Sequence, residues 1–181
     1  ENIIWPSVNG IKLIGSSSEN CVIDGGLVAS VIRFEIVSGI NSETVISGFT
    51  IRNGWAQGAD PDNQGGGIYL NSYSSPKIFN VVISNNSATV GGGIYMKNSN
   101  PYIVDAIISN NSSASGGGLA LYSQANPILE NILIVDNYAS SGGGVRIYNS
   151  APIMNNLTIS RNAASSGGGG LQMLFSNPKI E

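Results

Sequence analysis

The chain has 181 residues with a net charge of −3, 41% hydrophobic and only 10% charged residues, 24 Gly, 7 Pro, one Cys and no His. Without histidine, Ser-His-Asp triads, Cys-His dyads and His-ligated zinc are excluded, and a lone cysteine, Cys21, makes neither an internal disulfide nor a thiolate cluster. The charge balance lacks the clustered Lys and Arg that nucleic acids and anionic lipid surfaces call for, and no apolar run approaches the roughly 18 residues of a membrane span.

Glu1-Asn2-Ile3-Ile4-Trp5 reads as the middle of a strand. At the other end Asn177-Pro178-Lys179-Ile180-Glu181 stops partway through a pattern, so the chain is expected to be a piece of something longer or a processed form. Gly10-Ile11-Lys12-Leu13-Ile14-Gly15 and Asn20-Cys21-Val22-Ile23-Asp24-Gly25-Gly26 read as two strands of an early turn. Cys21 there is expected to act as a small buried hydrophobe. Val45-Ile46-Ser47-Gly48-Phe49-Thr50-Ile51-Arg52-Asn53-Gly54 reads as a further turn, and Trp55–Gln64 as a loop that bulges between turns. Within that loop Asp60-Pro61-Asp62-Asn63 is rich in oxygen ligands. A polar turn is the plain reading and a Ca²⁺ site at Asp60 and Asp62 the alternative.

From residue 65 the chain is periodic. Gly-Gly-Gly recurs at 65–67, 91–93, 116–118, 142–144 and 168–170, each followed by apolar-x-apolar, then by Pro76, Pro101, Pro127, Pro152 and Pro178. Ten residues after the first four prolines come Asn86, Asn111, Asn137 and Asn162. Gly, Pro, Asn and β-branched residues are poor helix formers, and the apolar residues alternate in short runs bounded by turn residues. About three short strands per unit cannot bury an apolar side alone. They can if each circuit of chain rests on the one before, which predicts an all-β parallel solenoid of 25 or 26 residues per turn and about seven turns. Residues 1–64 supply irregular N-terminal turns and 65–181 regular ones of the same domain.

The alternation assigns inward rows: Ile68/Ile94/Leu119/Val145/Leu171, Leu70/Met96/Leu121/Ile147/Met173, Ile78/Ile103/Leu129/Met154, Val81/Ala106/Ile132/Leu157 and Ile83/Ile108/Ile134/Ile159. A one-residue slip would expose them all. The Asn86 row is expected to bend the strand through the left-handed region and to stack its amides along the axis. Asn80, Asp105, Asn131 and Asn156 follow the same logic. The glycine triplets are expected to be tight corners with no room for Cβ, since no Lys-Ser/Thr follows as a phosphate loop would need.

The residues Ile11–Gly15, Val22–Gly26 and Gly48–Gly54 resemble early turns of right-handed parallel β-helix proteins of the pectin-lyase-like superfamily. Gly92-Gly93-Ile94 and Ile108-Ser109-Asn110-Asn111 are similar to the repeats of chlamydial-type polymorphic outer-membrane proteins, with Gly for Ala and Ile for Phe. The resemblance implies a right-handed coil and a secreted or cell-surface location. It leaves activity open, because the fold hosts lyases, hydrolases, epimerases and adhesive proteins.

No two carboxylates share an outward row in the repeats, as a glycoside hydrolase would want. Asp136 and Arg161 are expected to form a surface ion pair, and Glu130 to be a solvated charge. No catalytic residue is assigned. The outward face after each glycine triplet carries Tyr69/Tyr95/Ala120/Arg146/Gln172 and Asn71/Lys97/Tyr122/Tyr148/Leu174. Tyrosines beside amides and cations suit sugar recognition, so Tyr69, Tyr95, Lys97, Tyr122, Arg146 and Tyr148 are the candidate ligand-binding residues. Cross-strand stabilisation of the sheet is the plainer reading. A second outward row, Val82/Ile107/Leu133/Thr158, is mostly apolar and suggests cover by a partner, against ordinary strand propensity.

These rows favour a non-catalytic extracellular scaffold, adhesin or carbohydrate-contacting stalk over an enzyme. It would need no cofactor, its partner would be a polysaccharide or cell-surface glycan, and it would insert no segment into a membrane. The alternatives are a polysaccharide lyase or related enzyme fragment, and a self-assembling fibre subunit whose unpaired end strands associate end to end.

Overall fold

The computed structural model describes residues 1–35 and 39–181, and every strand pair in it is parallel. Three sheets run along the axis. Sheet A stacks seven strands, from Ile3–Ile4 through Ile32–Phe34, Ile68–Leu70, Ile94–Lys97, Leu119–Tyr122 and Val145–Tyr148 to Leu171–Leu174. Sheet B is built on the long strands Lys77–Ser84, Tyr102–Ser109, Ile128–Val135 and Ile153–Ser160. Sheet C is formed by Trp55–Ala56, Ser87–Val90, Ser112–Ser115, Tyr138–Ser141 and Ala163–Ala164.

The register is the one the repeat implies. Ile83, Ile108, Ile134 and Ile159 pair in succession, as do Ile68, Ile94, Leu119, Val145 and Leu171. All five inward rows belong to one apolar core whose middle rungs are shielded from water, except that Met173, on the last strand of sheet A, has no rung above it among the described residues and is 46% exposed. Stacking does what no single rung can do: each circuit supplies the missing walls for its neighbours.

Sheet C was not visible in the sequence. Its strands read Ser-Ala-Thr-Val, Ser-Ser-Ala-Ser and Tyr-Ala-Ser-Ser. Ala88 and Ala139 are the single buried residues of the first and third, and the second has none, so the apolar alternation that marks a strand is missing. Conversely, the short strand after Pro and the strand ending at Asn are one continuous element of sheet B, bent in the middle.

The bends correct one expectation. The left-handed residues are Asn80, Asp105, Asn131 and Asn156 (φ 51° to 55°) and, before the next corner, Asn85, Asn110, Asp136 and Arg161 (φ 51° to 56°). Asn86, Asn111 and Asn137 are not left-handed. Each follows the bend and turns its amide inward, about 1% exposed. The backbone conformation and the buried ladder are therefore separate tasks carried by consecutive residues. Arg161 can occupy the bend because the residue there points to solvent, where it meets Asp136 in a two-bond pair at 2.8 Å.

The corner from sheet C to sheet A explains the glycine triplets. Gly91 has φ +68°, and a Cβ there would lie 2.8 Å from Cβ of Tyr95. A Cβ on Gly93 would lie 2.5 Å from the carbonyl oxygen of Gly118 in the next rung. The first glycine turns the chain and the last lets rungs approach to hydrogen-bonding distance.

Candidate functional site

Beyond the corner, outward side chains of sheet A fold back over the glycines. Tyr69, Tyr95 and Ala120 form a buried cluster separate from the core, with Val90 and Tyr122 packed against it. The rings make a ladder: Tyr69 stacks on Tyr95 at 5.6 Å, Tyr95 meets Tyr122 at 5.8 Å, and Tyr122 stacks on Tyr148 at 5.6 Å. The ladder changes column at Ala120. Tyr95 is in register with Ala120, and Tyr122 with Lys97 and Tyr148. The methyl of Ala120 leaves space into which Tyr122 leans, and its hydroxyl shares a 2.8 Å hydrogen bond with Ser115 Oγ of sheet C.

The structure thus brings Tyr69, Tyr95, Tyr122 and Tyr148 together, but on unequal terms. Tyr69 and Tyr95 are only 2% and 4% exposed, with their ring faces spent on neighbours. Burial pushes both phenols above the ordinary tyrosine range. For Tyr95 the neighbouring Tyr69 adds to the rise, and for Tyr69 a hydrogen bond from Asn71 opposes it. Tyr148, at 36% exposed, is the ring that reaches solvent.

Arg146 lies in the column of Tyr95 and Ala120, paired in register with Gln172. Its Nε and the Oε1 of Gln172 are buried without a hydrogen-bond partner. Neither Arg146 nor Lys97 enters an ion pair among the described residues. From Ile94 to Leu174 the outward positions of sheet A hold no carboxylate. On a chain with net charge −3 this face is locally cationic, aromatic and short of acceptors.

The expected Trp55–Gln64 loop begins later than the sequence suggested, because Trp55–Ala56 pairs with Ser87–Ala88 in sheet C; the remaining loop closes the other end of the ladder. Arg33, itself 7% exposed, lays its guanidinium over the Tyr69 ring at 4.3 Å. It donates to Glu35 at 2.8 Å and Ser30 Oγ at 2.9 Å, and its Nη2 lies 3.6 Å from Asp62. Asp60 accepts from Gln64 Nε2 at 2.5 Å. Asp60 and Asp62 are thus directed to Gln64 and Arg33, and no group of three His, Cys, Asp or Glu gathers among the described residues. Arg33 escaped the sequence reading because it pairs with Tyr69 across an interval longer than the regular repeat. Arg146 was legible as an outward cation, but the column change that isolates it was not.

Other polar residues are occupied. Glu130 is not a free charge: it accepts the Tyr102 hydroxyl at 2.6 Å, which raises that phenol's pKa. Cys21 is partly exposed rather than buried, and hydrogen bonds from the Ser16 side chain and the nearby backbone lower its pKa.

A three-sheet parallel coil with polar ladders at its bends and a shielded apolar axis defines a β-solenoid. A family model described as the right handed beta helix region matches residues 1–138, and the chain belongs to that family. No curated protein and no solved structure matches it.

Proposed function

We propose that the chain is a non-catalytic, extracellular β-helix scaffold whose sheet A face contacts a polysaccharide or cell-surface glycan. One observation carries this reading: Arg146 and Gln172 present buried, unpartnered polar atoms beside the Tyr122–Tyr148 step of an aromatic ladder. Leaving such atoms unpaired costs roughly 1–3 kcal/mol each, which the two side chains would recover by turning toward a bound ligand. A sugar presents an apolar face to a ring and hydroxyls to amides and guanidinium groups. Lys97 and Arg146 add positive charge where no carboxylate opposes it. Support for a binding role over catalysis comes from the polar residues of the repeat, most of which are committed to bends and ladders.

A glycan array with the 181-residue chain tests the proposal, followed by affinity electrophoresis of Tyr148→Ala and Arg146→Ala. Each substitution is expected to weaken retention about fivefold or more, while Lys77→Ala on sheet B leaves it unchanged. Retention insensitive to both sheet A substitutions refutes the site. Release of unsaturated sugars from the retained polymer refutes the non-catalytic assignment and supports a lyase.

A further inference from the structure

A second feature lies on a different face. A groove of about 570 Å³ follows the outer side of sheet B along the left-handed column Gly48, Asn80 and Asp105. Its walls include Ile14, Phe79, Val82 and Ile107, and the turn at Ser18 closes one end. The bend itself makes the groove: reversing φ in mid-strand folds the outer face of sheet B inward on both sides of the column. Ile107 is 41% exposed, unusually open for an isoleucine in the middle of a stacked sheet.

The groove is apolar on its walls and acidic or amide on its floor. Asp105 accepts from Asn131 at 3.0 Å and enters no ion pair among the described residues. Lys77 holds its ammonium over the rings of Phe79 and Tyr102, at 5.2 and 5.4 Å. Asn80 carries a side-chain amide with no hydrogen bond among the described residues, exposed on the floor.

Spacing decides which backbone conformation fits. An occupant lying along the axis meets equivalent side chains about every 4.8 Å. An extended strand repeats every two residues, about 6.8 Å, and falls out of phase at once. A polyproline II segment repeats every three residues, about 9.3 Å, close to two rungs at about 9.6 Å. Its backbone makes no internal hydrogen bonds, so its carbonyls seek donors such as the Asn80 amide. Its proline rings suit an apolar wall with an aromatic member. Asp105 favours a cation at the third position.

We propose that this groove docks a proline-rich segment of a partner polypeptide carrying Arg or Lys, bound in the polyproline II conformation. The probe is a synthetic peptide of three Pro-Pro-Arg repeats, titrated calorimetrically into the 181-residue chain. Three Gly-Ser-Arg repeats match its charge without the backbone preference. Three Pro-Pro-Glu repeats keep the backbone and invert the charge. The Pro-Pro-Arg peptide is expected to bind at least about tenfold tighter than either control. Ile107→Glu should weaken it about tenfold or more and Asp105→Asn about two- to fivefold. Both side chains reach solvent, and an unchanged urea midpoint confirms that the variants are folded. Arg146→Ala and Tyr148→Ala should leave peptide binding intact, which separates this groove from the glycan face. Equal binding of the Gly-Ser-Arg peptide, indifference to Ile107→Glu, or a neutral linear oligosaccharide occupying the groove in place of the peptide would each overturn the proposal.

Discussion

Asn111→Ala is the sharpest probe of what holds the coil together. The Asn111 amide donates to Asn137 Oδ1 at 3.0 Å and to the Ile83 carbonyl at 2.9 Å. Its Oδ1 accepts from the backbone N–H and the side-chain amide of Asn86, both at 3.0 Å. Truncation removes four hydrogen bonds at a site 1% exposed. At about 0.5–1.5 kcal/mol net for each bond, the expected loss is about 2–6 kcal/mol. The upper part of that range is favoured because the Asn86 N–H is left with no acceptor, and water does not reach it. Asn131→Ala is the internal control. It also breaks ladder bonds, to Asp105 and Asn156 at 3.0 and 2.8 Å, but in solvent. Its loss should stay near 1 kcal/mol, part of it from placing alanine at φ 55°. Urea unfolding followed by far-ultraviolet circular dichroism measures both. Equal losses for the two variants, or a loss below about 1 kcal/mol for Asn111→Ala at unchanged m-value, would refute the claim that the buried amide column stabilises the stack.

Three further outcomes follow from the same geometry. Gly93→Ala forces a Cβ to within 2.5 Å of the Gly118 oxygen, so rungs must part locally; a drop of about 3 kcal/mol or more in urea is expected, and a near-neutral effect would show that the corner has slack. Tyr69 and Tyr95 have folded pKa values above the free value of about 10, so their contribution to stability is complete below that pH and fades as pH rises through the folded values. Absorbance titration should therefore find two phenols that ionise only above the free-tyrosine range, and full titration at the free value would contradict their burial. Arg161→Ala removes an exposed pair with Asp136, whose carboxyl is held below its usual range chiefly by the Arg161 hydrogen bond. The melting temperature at neutral pH should move by only a few degrees, and the difference between wild type and variant should vanish as acid protonates Asp136.

How much of this was legible beforehand depended on whether a residue's task left a periodic trace. The core rows did, because Ile83 and its successors must all be apolar and all point the same way. The glycine corner did, because no other residue fits. The buried amide column was visible as a column, yet its conformation was misplaced by one residue. Asn-Asn at 85–86 and 110–111 offers two identical side chains, and composition cannot say which one bends the backbone. Sheet C left almost no trace, since Ser87, Ser112 and Tyr138 pair in register without an apolar signature. Their strand conformation is imposed by the rungs on either side, not by local propensity. The site was half legible. The tyrosines were found as an outward face, but that two of them would be closed off by Arg33 and the preceding loop depended on contacts spanning the irregular N-terminal turns.

The division between fixed and free positions explains why a coil of this kind can carry different surfaces without changing its fold. Inward rows, bends and corners are constrained in every rung, because a fault in one is felt by both neighbours. An outward residue answers only to the residue above and below it. Replacing a tyrosine by Ala120 in one column therefore did not break the aromatic ladder; it moved the ladder sideways and left Arg146 unpartnered in the vacated line. On sheet B the same freedom allows Phe79, Val104 and Glu130 to succeed one another in one column. Binding chemistry on such a scaffold is set by where a column departs from its own repeat. Ala120 and Arg146 on one face, and Asp105 among asparagines on the other, are departures of that kind.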